Sequence, residues 1–294
     1  MSSTEQTDLA PLPDRVADWR AQLPPGLPPA SPELLVALDI DGTLLGPGAA
    51  VSDAVRQALG AVQDAGAHVV LATGRSILAA APLARDFGLA GGHVVCSNGA
   101  VTAWVDAGGH QLTDVVTFDP APAVRLLQAE VPGVLVAVED VGRGFKVNRP
   151  FPPGELDGAV EVLDLEELLA TPASRVTVRA PDLPPHQFAA QVADLGLHGV
   201  NYAVTLGVRA WLDITPEGVH KARGLQLLSD RLGIAPGATV AIGDGGNDVQ
   251  MLRWAAHGVA MGHAQADVQQ AADAITDSVA DDGAAVVLGA LTSA

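Results

Sequence analysis

Apolar and polar residues follow two rhythms along this chain: short, nearly continuous apolar runs, and longer segments in which apolar residues recur every three or four positions. The short runs, such as LLVALDI at 34–40 and AHVVLAT at 67–73, predict buried strands. A longer segment, SDAVRQALGAVQDAG at 52–66, predicts a helix with Ser52 as its N-cap and Gly66 just beyond its end. Because the two rhythms alternate, we predict an α/β fold with a Rossmann-like core, a parallel sheet covered by helices on both faces.

The same alternation occupies both ends of the chain but not its middle. HVVCSNG at 93–99 predicts a third strand, and the segment that follows it predicts a hairpin with its turn at Asp106–Gly109. From residue 224 onward, helix and strand patterns resume with GLQLLSDRLG, ATVAIGDGG and NDVQMLRWA. Between 119 and 208, prolines are frequent and the periodic segments are shorter, which predicts a smaller α+β domain inserted into the core.

We therefore predict three regions. Residues 1–32 are rich in proline and polar side chains (QLPPGLPPASP), which predicts a flexible N-terminal arm with a short helix near 16–22. Residues 33–118 and 209–294 form the core, and 119–208 form the inserted domain.

The amino-acid composition indicates which partners and which cellular compartment to expect. With 16 Lys+Arg against 34 Asp+Glu, the net charge is −18, which disfavours nucleic acid and anionic membranes as partners. The single cysteine, Cys96, lies in a predicted strand, so we expect a buried, inert thiol and a reducing compartment. The N-terminus has no basic start followed by an apolar segment, and no apolar run approaches ~20 residues. We therefore expect a cytoplasmic protein without a signal peptide.

Polar side chains gather at the ends of the predicted strands, where ligands bind to open parallel sheets. Several carboxylates in one place need a cation, because two unit charges ~4 Å apart repel by about 4 kcal/mol at an effective dielectric constant near 20. Oxygen ligands without a nearby His or Cys cluster favour Mg²⁺ over zinc. The strand-end residues are Asp39, Asp41, Thr73, Gly74, Asn98, Asp244 and Asp248.

The remaining candidates suit a phosphate group. Asp39 and Asp41 are two positions apart on a strand, so both can face one substrate and divide nucleophilic and acid–base roles. Thr73 offers a hydroxyl before a helix whose N-terminal N–H groups favour an anion. Lys221, near another helix start, would neutralise the phosphate.

Taken singly, each feature has a simpler interpretation. Asp-Gly after a strand is often only a turn, Arg75 fits a solvated residue at a helix start, and Lys221 alone fits a surface lysine. GDGGND is similar to a calcium loop, but an EF-hand needs glycine at its sixth position, where Val249 stands. The combination at strand ends, rather than any one residue, indicates a phosphate site.

Together these motifs resemble the haloacid dehalogenase superfamily, specifically its Cof-type (IIB) sugar-phosphatase branch. The resemblance covers about 34–294 and implies that the inserted domain is a cap over the site. One departure is His263, where the branch usually has Asn; it lies outside the catalytic set, so we expect an effect on local loop contacts only. The matching motifs are DIDGTLL, LATGR, SNGA, GVHKARGLQLL, IGDGGNDVQML, GVAMGHA and DDGAAVVL.

The resemblance also implies catalytic roles. Asp39 would attack phosphorus and become an aspartyl phosphate, and Asp41 would protonate the leaving group and then activate water. Thr73, Gly74 and Lys221 would bind the transferring phosphoryl group.

Further implied roles concern the metal and the edge of the phosphate site. Asp39, the backbone carbonyl of Asp41 and Asp244 would hold Mg²⁺, with Asp248 as a further ligand or a support for the others. Asn247 would stand at the phosphate-side edge.

The predicted function is that of a Mg²⁺-dependent phosphatase of small phosphorylated metabolites, sugar phosphates among them. Three alternatives stay open: a phosphomutase of the phosphomannomutase type, a catalytically silent phosphometabolite-binding protein, and a glycosyltransferase that uses its Asp-x-Asp pair for a nucleotide-sugar metal. The oligomeric state and the identity of the substrate are left open. Candidate substrate-selecting residues of the cap are Arg143, Lys146, Asn148 and Arg149, from GRGFKVNRP.

Overall fold

The computed structural model describes residues 9–48, 50–206 and 210–292. Within those ranges, the strands form two separate sheets, one in the core and one in the inserted domain. None of the helices described is long and apolar enough to cross a membrane.

The core sheet has a parallel centre and an antiparallel edge. The first strand, β1, lies between the second strand and β12 of the late chain, with Leu35 opposite both His68 and Thr239. The strand order is β14-β13-β12-β1-β2-β3-β4-β5, where β3, β4 and β5 are antiparallel neighbours. The strands are Leu35–Leu38 (β1), His68–Ala72 (β2), Gly92–Cys96 (β3), Val101–Val105 (β4), His110–Val115 (β5), Thr239–Gly243 (β12), His257–Ala260 (β13) and Ala274–Ile275 (β14).

Helices cover both faces of this sheet, as the continuous apolar strands require. Val36 and Leu38 of β1 pack into one hydrophobic cluster, whereas Leu35 and Ala37 pack into the cluster on the opposite face. Asp53–Asp64 (α2), Ile77–Asp86 (α3) and Gly283–Leu291 (α10) cover the first face. Lys221–Leu232 (α7), Val249–Trp254 (α8) and Ala266–Ala271 (α9) cover the second. The α/β fold predicted from the sequence is confirmed.

Local predictions in the first half of the core also agree with the structure. The Ser52 side chain accepts a hydrogen bond from the Val55 amide and caps α2, and Gly66 has a φ of 92° just beyond that helix. The β4–β5 hairpin turns where the amides of Gly108 and Gly109 donate to the carboxylate of Asp106. Cys96 is buried, and this burial raises the pKa of its thiol.

The inserted domain is a second, mainly antiparallel sheet with helices on one face. Its strands are Leu135–Asp140 (β6), Gly144–Val147 (β7), Ala159–Val162 (β8), Val176–Arg179 (β9), Val200–Leu206 (β10) and Ala210–Pro216 (β11), in the order β10-β11-β9-β6-β7-β8. Its helices are Ala121–Glu130 (α4), Leu165–Leu168 (α5) and Pro185–Asp194 (α6). Alternate residues, such as Leu212 and Ile214 of β11, pack into the apolar core with these helices, and the other face of the sheet lies toward the core domain.

One predicted boundary changes. Strand β11 pairs with β10 and β9, so Ala210–Pro216 belongs to the cap and not to the core, which the sequence predicts to resume at 209. The sequence does not reveal which sheet this segment joins, and 207–209 lie outside the described residues. The chain returns to the core after Pro216, where the side chains of Asn201 and Thr215 both donate to the carbonyl of Val219.

The segment predicted as a flexible arm is packed against the core where the structure describes it. Leu12–Arg20 (α1) lies along α10, and Arg20 donates to the backbone carbonyls of Gly289, Ala290 and Thr292 at the end of α10. Arg15 pairs with Asp277 at 2.6 Å. Long cationic side chains at a helix C-terminus satisfy carbonyls that have no partner within the helix, which explains this packing. Residues 1–8 lie outside the described part.

Candidate active site

The strand-end residues meet because their strands are neighbours in the sheet. Asp39 follows β1, Thr73 follows β2, and Asp244 follows β12, and these three strands lie side by side. The carboxyl ends of parallel strands share one edge, so their loops converge there. A cavity of about 1180 Å³ opens between this edge and the inner face of the cap sheet, and all three residues line it.

A buried lysine between two carboxylates forms the centre of the site. Lys221 Nζ lies 2.5 Å from Asp39 Oδ1 and 2.7 Å from Asp248 Oδ1, and the Lys221 side chain is 0% exposed. Lys221 is the first residue of α7, so its amide lies at the positive end of that helix dipole. Although burial opposes its charge, the two carboxylates raise the pKa of Lys221 above its ordinary value. The lysine therefore stays cationic where a phosphate would need it.

Asp248 is fully occupied by contacts within the protein. While Oδ1 accepts from Lys221, Oδ2 accepts from the amides of Asp244 at 3.1 Å and Gly245 at 2.9 Å. These bonds fold the GDGGND loop back on itself and aim the side chain of Asp244 toward the cavity. This arrangement suits Asp248 better as a support for its neighbours than as a direct metal ligand.

Three carboxylates come close enough to share a cation: oxygens of Asp39, Asp244 and Asp248 all lie within 4.8 Å of one another. Burial, followed by repulsion from Asp248, raises the pKa of Asp39 to about 8 and that of Asp244 to about 6, although Lys221 opposes both shifts. Both groups therefore resist carrying their charges together without a cation. An all-oxygen donor set fits Mg²⁺, and Asp39 with Asp244 are the residues best placed to hold it.

Asp41 is not part of the group formed by Asp39, Asp244 and Asp248, and it pairs instead with an arginine. Its carboxylate forms a two-point pair with Arg75, at 2.6 and 2.7 Å, on the rim of the same cavity. A guanidinium that grips both oxygens fixes the plane of a carboxylate. Arg75 is therefore more than the solvated residue at a helix start that its sequence position suggests. Its pairing with Asp41 is a contact at the cavity rim that the sequence did not reveal.

Thr73 and Asn98 line the cavity at the ends of β2 and β3. Thr73 is buried, its Oγ1 accepts from the Arg75 amide at 3.1 Å, and its carbonyl accepts from the Asn98 amide. Helix α3 begins at Ile77, four residues after Thr73, with Ser76 as its N-cap, so Thr73 lies in the loop before the helix rather than at its start. Asn247 donates to Asn98 Oδ1 at 2.9 Å, which joins the β3 and β12 loops across the site.

Two glycines permit the closest approaches in the site. Gly42 has a φ of 85°, and a Cβ there would collide with the carboxylate of Asp244. Gly99 has a φ of 97°, and a Cβ there would collide with the carbonyl of His220, immediately before Lys221. The glycines of DIDGT and SNGA thus let the loops that carry the carboxylates and the lysine meet.

His263 lies closer to the acidic group than its sequence position suggests. Its Nε2 is 3.6 Å from Asp244 Oδ2, and its Nδ1 accepts from the Val279 amide. The sequence predicts effects on local loop contacts only, but the side chain lines the cavity next to a predicted metal ligand.

The cap supplies aromatic and polar side chains to the opposite wall. Trp211, Asp213 and Thr215 alternate along β11 and line the cavity. Phe145 of β7 lines it as well, while its neighbour Lys146 points to the other face of the strand.

The prediction that the polar residues of the GRGFKVNRP segment contact the substrate is wrong, because their side chains do not line the cavity. Asn148 and Arg149 bond to backbone groups at 133–136 and tie β7 to the start of β6. Among the described residues, neither they nor Arg143 and Lys146 line the cavity. Charged residues that are close in sequence do not reveal toward which face of the sheet their side chains point.

Comparison with known proteins agrees with this geometry. A family model described as haloacid dehalogenase-like hydrolase matches residues 36–129 and 186–288. A phosphoglycolate phosphatase from Natronomonas pharaonis is 30% identical over 248 residues, spanning 84% of this chain and 93% of the relative. A 5-amino-6-(5-phospho-D-ribitylamino)uracil phosphatase from Bacillus subtilis is 26% identical over 269 residues, spanning 85% and 92% of the two chains.

Among solved structures, a phosphatase of the haloalkanoate enzyme superfamily from Bacteroides thetaiotaomicron is 28% identical, with a TM-score of 0.70. The match covers 92% of this chain and 97% of that one, so it includes both the core and the cap. The chain belongs to the haloacid dehalogenase-like hydrolase family, as a Cof-type member and a phosphoric monoester hydrolase.

Proposed function

We propose that this protein is a Mg²⁺-dependent phosphatase of small phosphorylated metabolites, with Asp39 as the nucleophile. The observation that carries the proposal is the position of Asp39, which closes a buried strand, pairs with Lys221 and lies within 4.8 Å of Asp244 and Asp248. Phosphoryl transfer is catalysed mainly by positioning and by neutralising charge, and this site provides both.

In the first step, an oxygen of Asp39 attacks phosphorus and forms an aspartyl phosphate while the ester oxygen leaves. Lys221 neutralises charge on the transferring group, and the Thr73 hydroxyl with the Gly74 backbone holds its other oxygens. Bound Mg²⁺ would supply positive charge that draws the phosphate and the nucleophile together. Because the Lys221 side chain is wholly buried, its charge acts with little screening by water.

Asp41 would give a proton to the leaving oxygen and then take one from the water that hydrolyses the aspartyl phosphate. The two aspartates share a cavity but differ in surroundings: the Asp39 side chain is 8% exposed, whereas the Asp41 side chain is 58% exposed. An exposed, oriented carboxylate can exchange protons with solvent between the two steps. Arg75 keeps it turned toward the substrate.

The substrate is a phosphate ester small enough for the cavity and polar enough for the cap wall, and we propose sugar phosphates as its main class. The phosphatases from Natronomonas pharaonis and Bacillus subtilis are likewise named for small phosphorylated metabolites. The aromatic face of Trp211 and the carboxylate of Asp213 suit the apolar faces and hydroxyl groups of a sugar.

The test is a screen of phosphorylated metabolites with and without Mg²⁺, in which released inorganic phosphate is measured. We expect turnover of several hexose and pentose phosphates that is lost on chelation and restored by Mg²⁺. Conversion of a hexose 1-phosphate to the 6-phosphate without free phosphate would instead indicate a mutase. Binding without either product would indicate a silent binding protein.

A further inference from the structure

An ion pair on the inner face of the cap sheet touches the core directly beside the candidate site. Glu139 of β6 and Arg175, which precedes β9, lie on neighbouring strands, where the Glu139 amide donates to the Arg175 carbonyl. Arg175 Nε donates to Glu139 Oε2 at 3.0 Å. Their side chains are only 7% and 1% exposed, so the pair is buried between the two domains.

Each member of the pair also reaches across to a different loop of the core. Arg175 Nη1 donates to the backbone carbonyl of Gly74, in the loop after β2. Glu139 Oε2 accepts from the Ser97 hydroxyl at 2.7 Å, in the turn after β3. The cap therefore bonds at one point to both loops that carry the phosphate-facing residues.

Those two loops meet at Asn98. Ser97 and Asn98 have φ values of 49° and 53°, a left-handed conformation that residues other than glycine keep only where their surroundings hold it. The Asn98 side chain lies against Gly74 and accepts a hydrogen bond from Asn247. A change in the Ser97 turn would therefore be felt on the Thr73 side and on the GDGGND side of the site.

The charges of the pair argue against a purely structural role. Burying an ion pair costs desolvation energy that its mutual attraction repays only partly, so apolar side chains would join two surfaces as well or better. Within the described residues, Glu139 Oε1 is buried without a hydrogen-bond partner, a further cost. Although burial opposes its charge, Glu139 and then Asp213 raise the pKa of Arg175, so the charged form is retained.

We propose that Glu139 and Arg175 are positioning residues that make the phosphate-facing loops depend on cap closure. The contacts to Gly74 and Ser97 exist only while the cap lies against the core. When they form, they hold the Thr73–Gly74 loop and the Ser97–Asn98 turn in the arrangement described above. This proposal rests on the proposed phosphatase function, since it assigns the positioning of that reaction's phosphate site.

The test compares Ser97→Ala, Glu139→Gln and the double variant with wild type, using p-nitrophenyl phosphate and Mg²⁺. We expect kcat to fall about tenfold in each single variant, with KM changed less than twofold, because neither side chain contacts the ester. The double variant should fall no further than the more impaired single one, because both changes act on the same charged hydrogen bond: Ser97→Ala removes its donor, and Glu139→Gln removes the charge of its acceptor. Arg175→Lys, which keeps the charge but not the reach to both partners, should also lower kcat.

The matched control is Glu166→Gln, which breaks the exposed Arg125–Glu166 pair elsewhere on the cap. It should leave kcat within twofold of wild type. Unchanged kcat in Ser97→Ala, or additive losses in the double variant, would overturn the proposal. Because Ser97→Ala removes only one hydroxyl group, its kcat still tests the proposal if Glu139→Gln proves too unstable to purify.

A second readout separates this proposal from the proposed function. The amides of Ser97 and Asn98 donate to the carbonyls of Arg75 and Thr73, so their hydrogen exchange reports on the turn directly. Exchange should be at least severalfold faster in Glu139→Gln and Ser97→Ala than in wild type and Glu166→Gln, even if no ester is hydrolysed. Equal exchange in all four proteins would show that the ion pair does not hold the turn, whatever the enzyme's activity.

Discussion

The two walls of the cavity are built in different ways. On the core wall, the charged residues come from short motifs at strand ends and pair with one another, as Lys221 does with Asp39 and Asp248. On the cap wall, the lining residues are single positions that alternate along strands, such as Trp211 and Asp213. Changing any one of these charged residues on the core wall should therefore impair the reaction, because each charge is balanced by the others. Apart from the Glu139–Arg175 pair, residues of the cap wall can change one at a time without disturbing the reaction.

The largest expected effect tests the core wall. Asp39→Asn should abolish turnover of every phosphate ester, because the amide has nearly the same shape but cannot attack phosphorus. Thermal unfolding should show that the fold is retained. Phosphate release is the measurement, and residual kcat above about a hundredth of wild type in protein free of contaminating phosphatase would exclude Asp39 as the nucleophile.

The next effect concerns the metal. Asp244→Ala should raise the half-saturating Mg²⁺ concentration by about tenfold or more, because it removes a carboxylate from the acidic group while leaving the Lys221 pairs in place. Activity is titrated with Mg²⁺ at saturating ester. A lower maximal rate with an unchanged half-saturating concentration would mean that Asp244 is not a ligand.

Proton competition should be visible in the same titration with wild-type enzyme. Burial raises the pKa of Asp39 to about 8 and that of Asp244 to about 6, so both carboxyl groups of the metal-free site hold protons as pH falls through these values. Mg²⁺ must displace those protons, and its half-saturating concentration should rise severalfold between pH 8 and pH 6. A half-saturating concentration that is independent of pH would contradict the buried, mutually repelling carboxylates.

The smallest effects should come from the alternating β11 residues of the cap wall, and they should differ between substrates. Trp211→Ala should lower kcat/KM for sugar phosphates severalfold relative to p-nitrophenyl phosphate, because the generic ester makes little use of the cap. Lys146→Ala is the matched control from a neighbouring part of the same sheet, and it should change neither value, since Lys146 faces away from the cavity. Equal losses on all substrates in Trp211→Ala would make the cap a support rather than a selector.

The same contrast explains what the sequence predicts well. The Asp39 and Asp244 motifs are local: a strand, a turn with glycine and carboxylates at fixed spacing, all readable within a few residues. Because β1 and β12 are neighbouring parallel strands, the two motifs lie side by side at the same edge of the sheet. The α/β class follows from the same periodicity.

What the sequence did not reveal depends on register and on the face of a strand. Arg75 looks like an ordinary residue at a helix start, and only the fold brings it against Asp41. Glu139 and Arg175 are distant in sequence and meet because β6 and β9 pair in one register. Strand β11 falls in the range predicted as core, and only its pairing with β10 and β9 places it in the cap.

The central strand pair of the core has a consequence for how the chain folds. Strands β1 and β12 pair Leu35 with Thr239, whereas the cap between them closes its sheet from nearby segments, such as β6 with β7. During synthesis, the segment that carries Asp39 must therefore wait, with its apolar strand unpaired on one side, until the segment that carries Asp244 has been made. Pulse-labelling by hydrogen exchange during refolding should show β6 and β7 protected before β1. The catalytic edge would then be the last part of the protein to form.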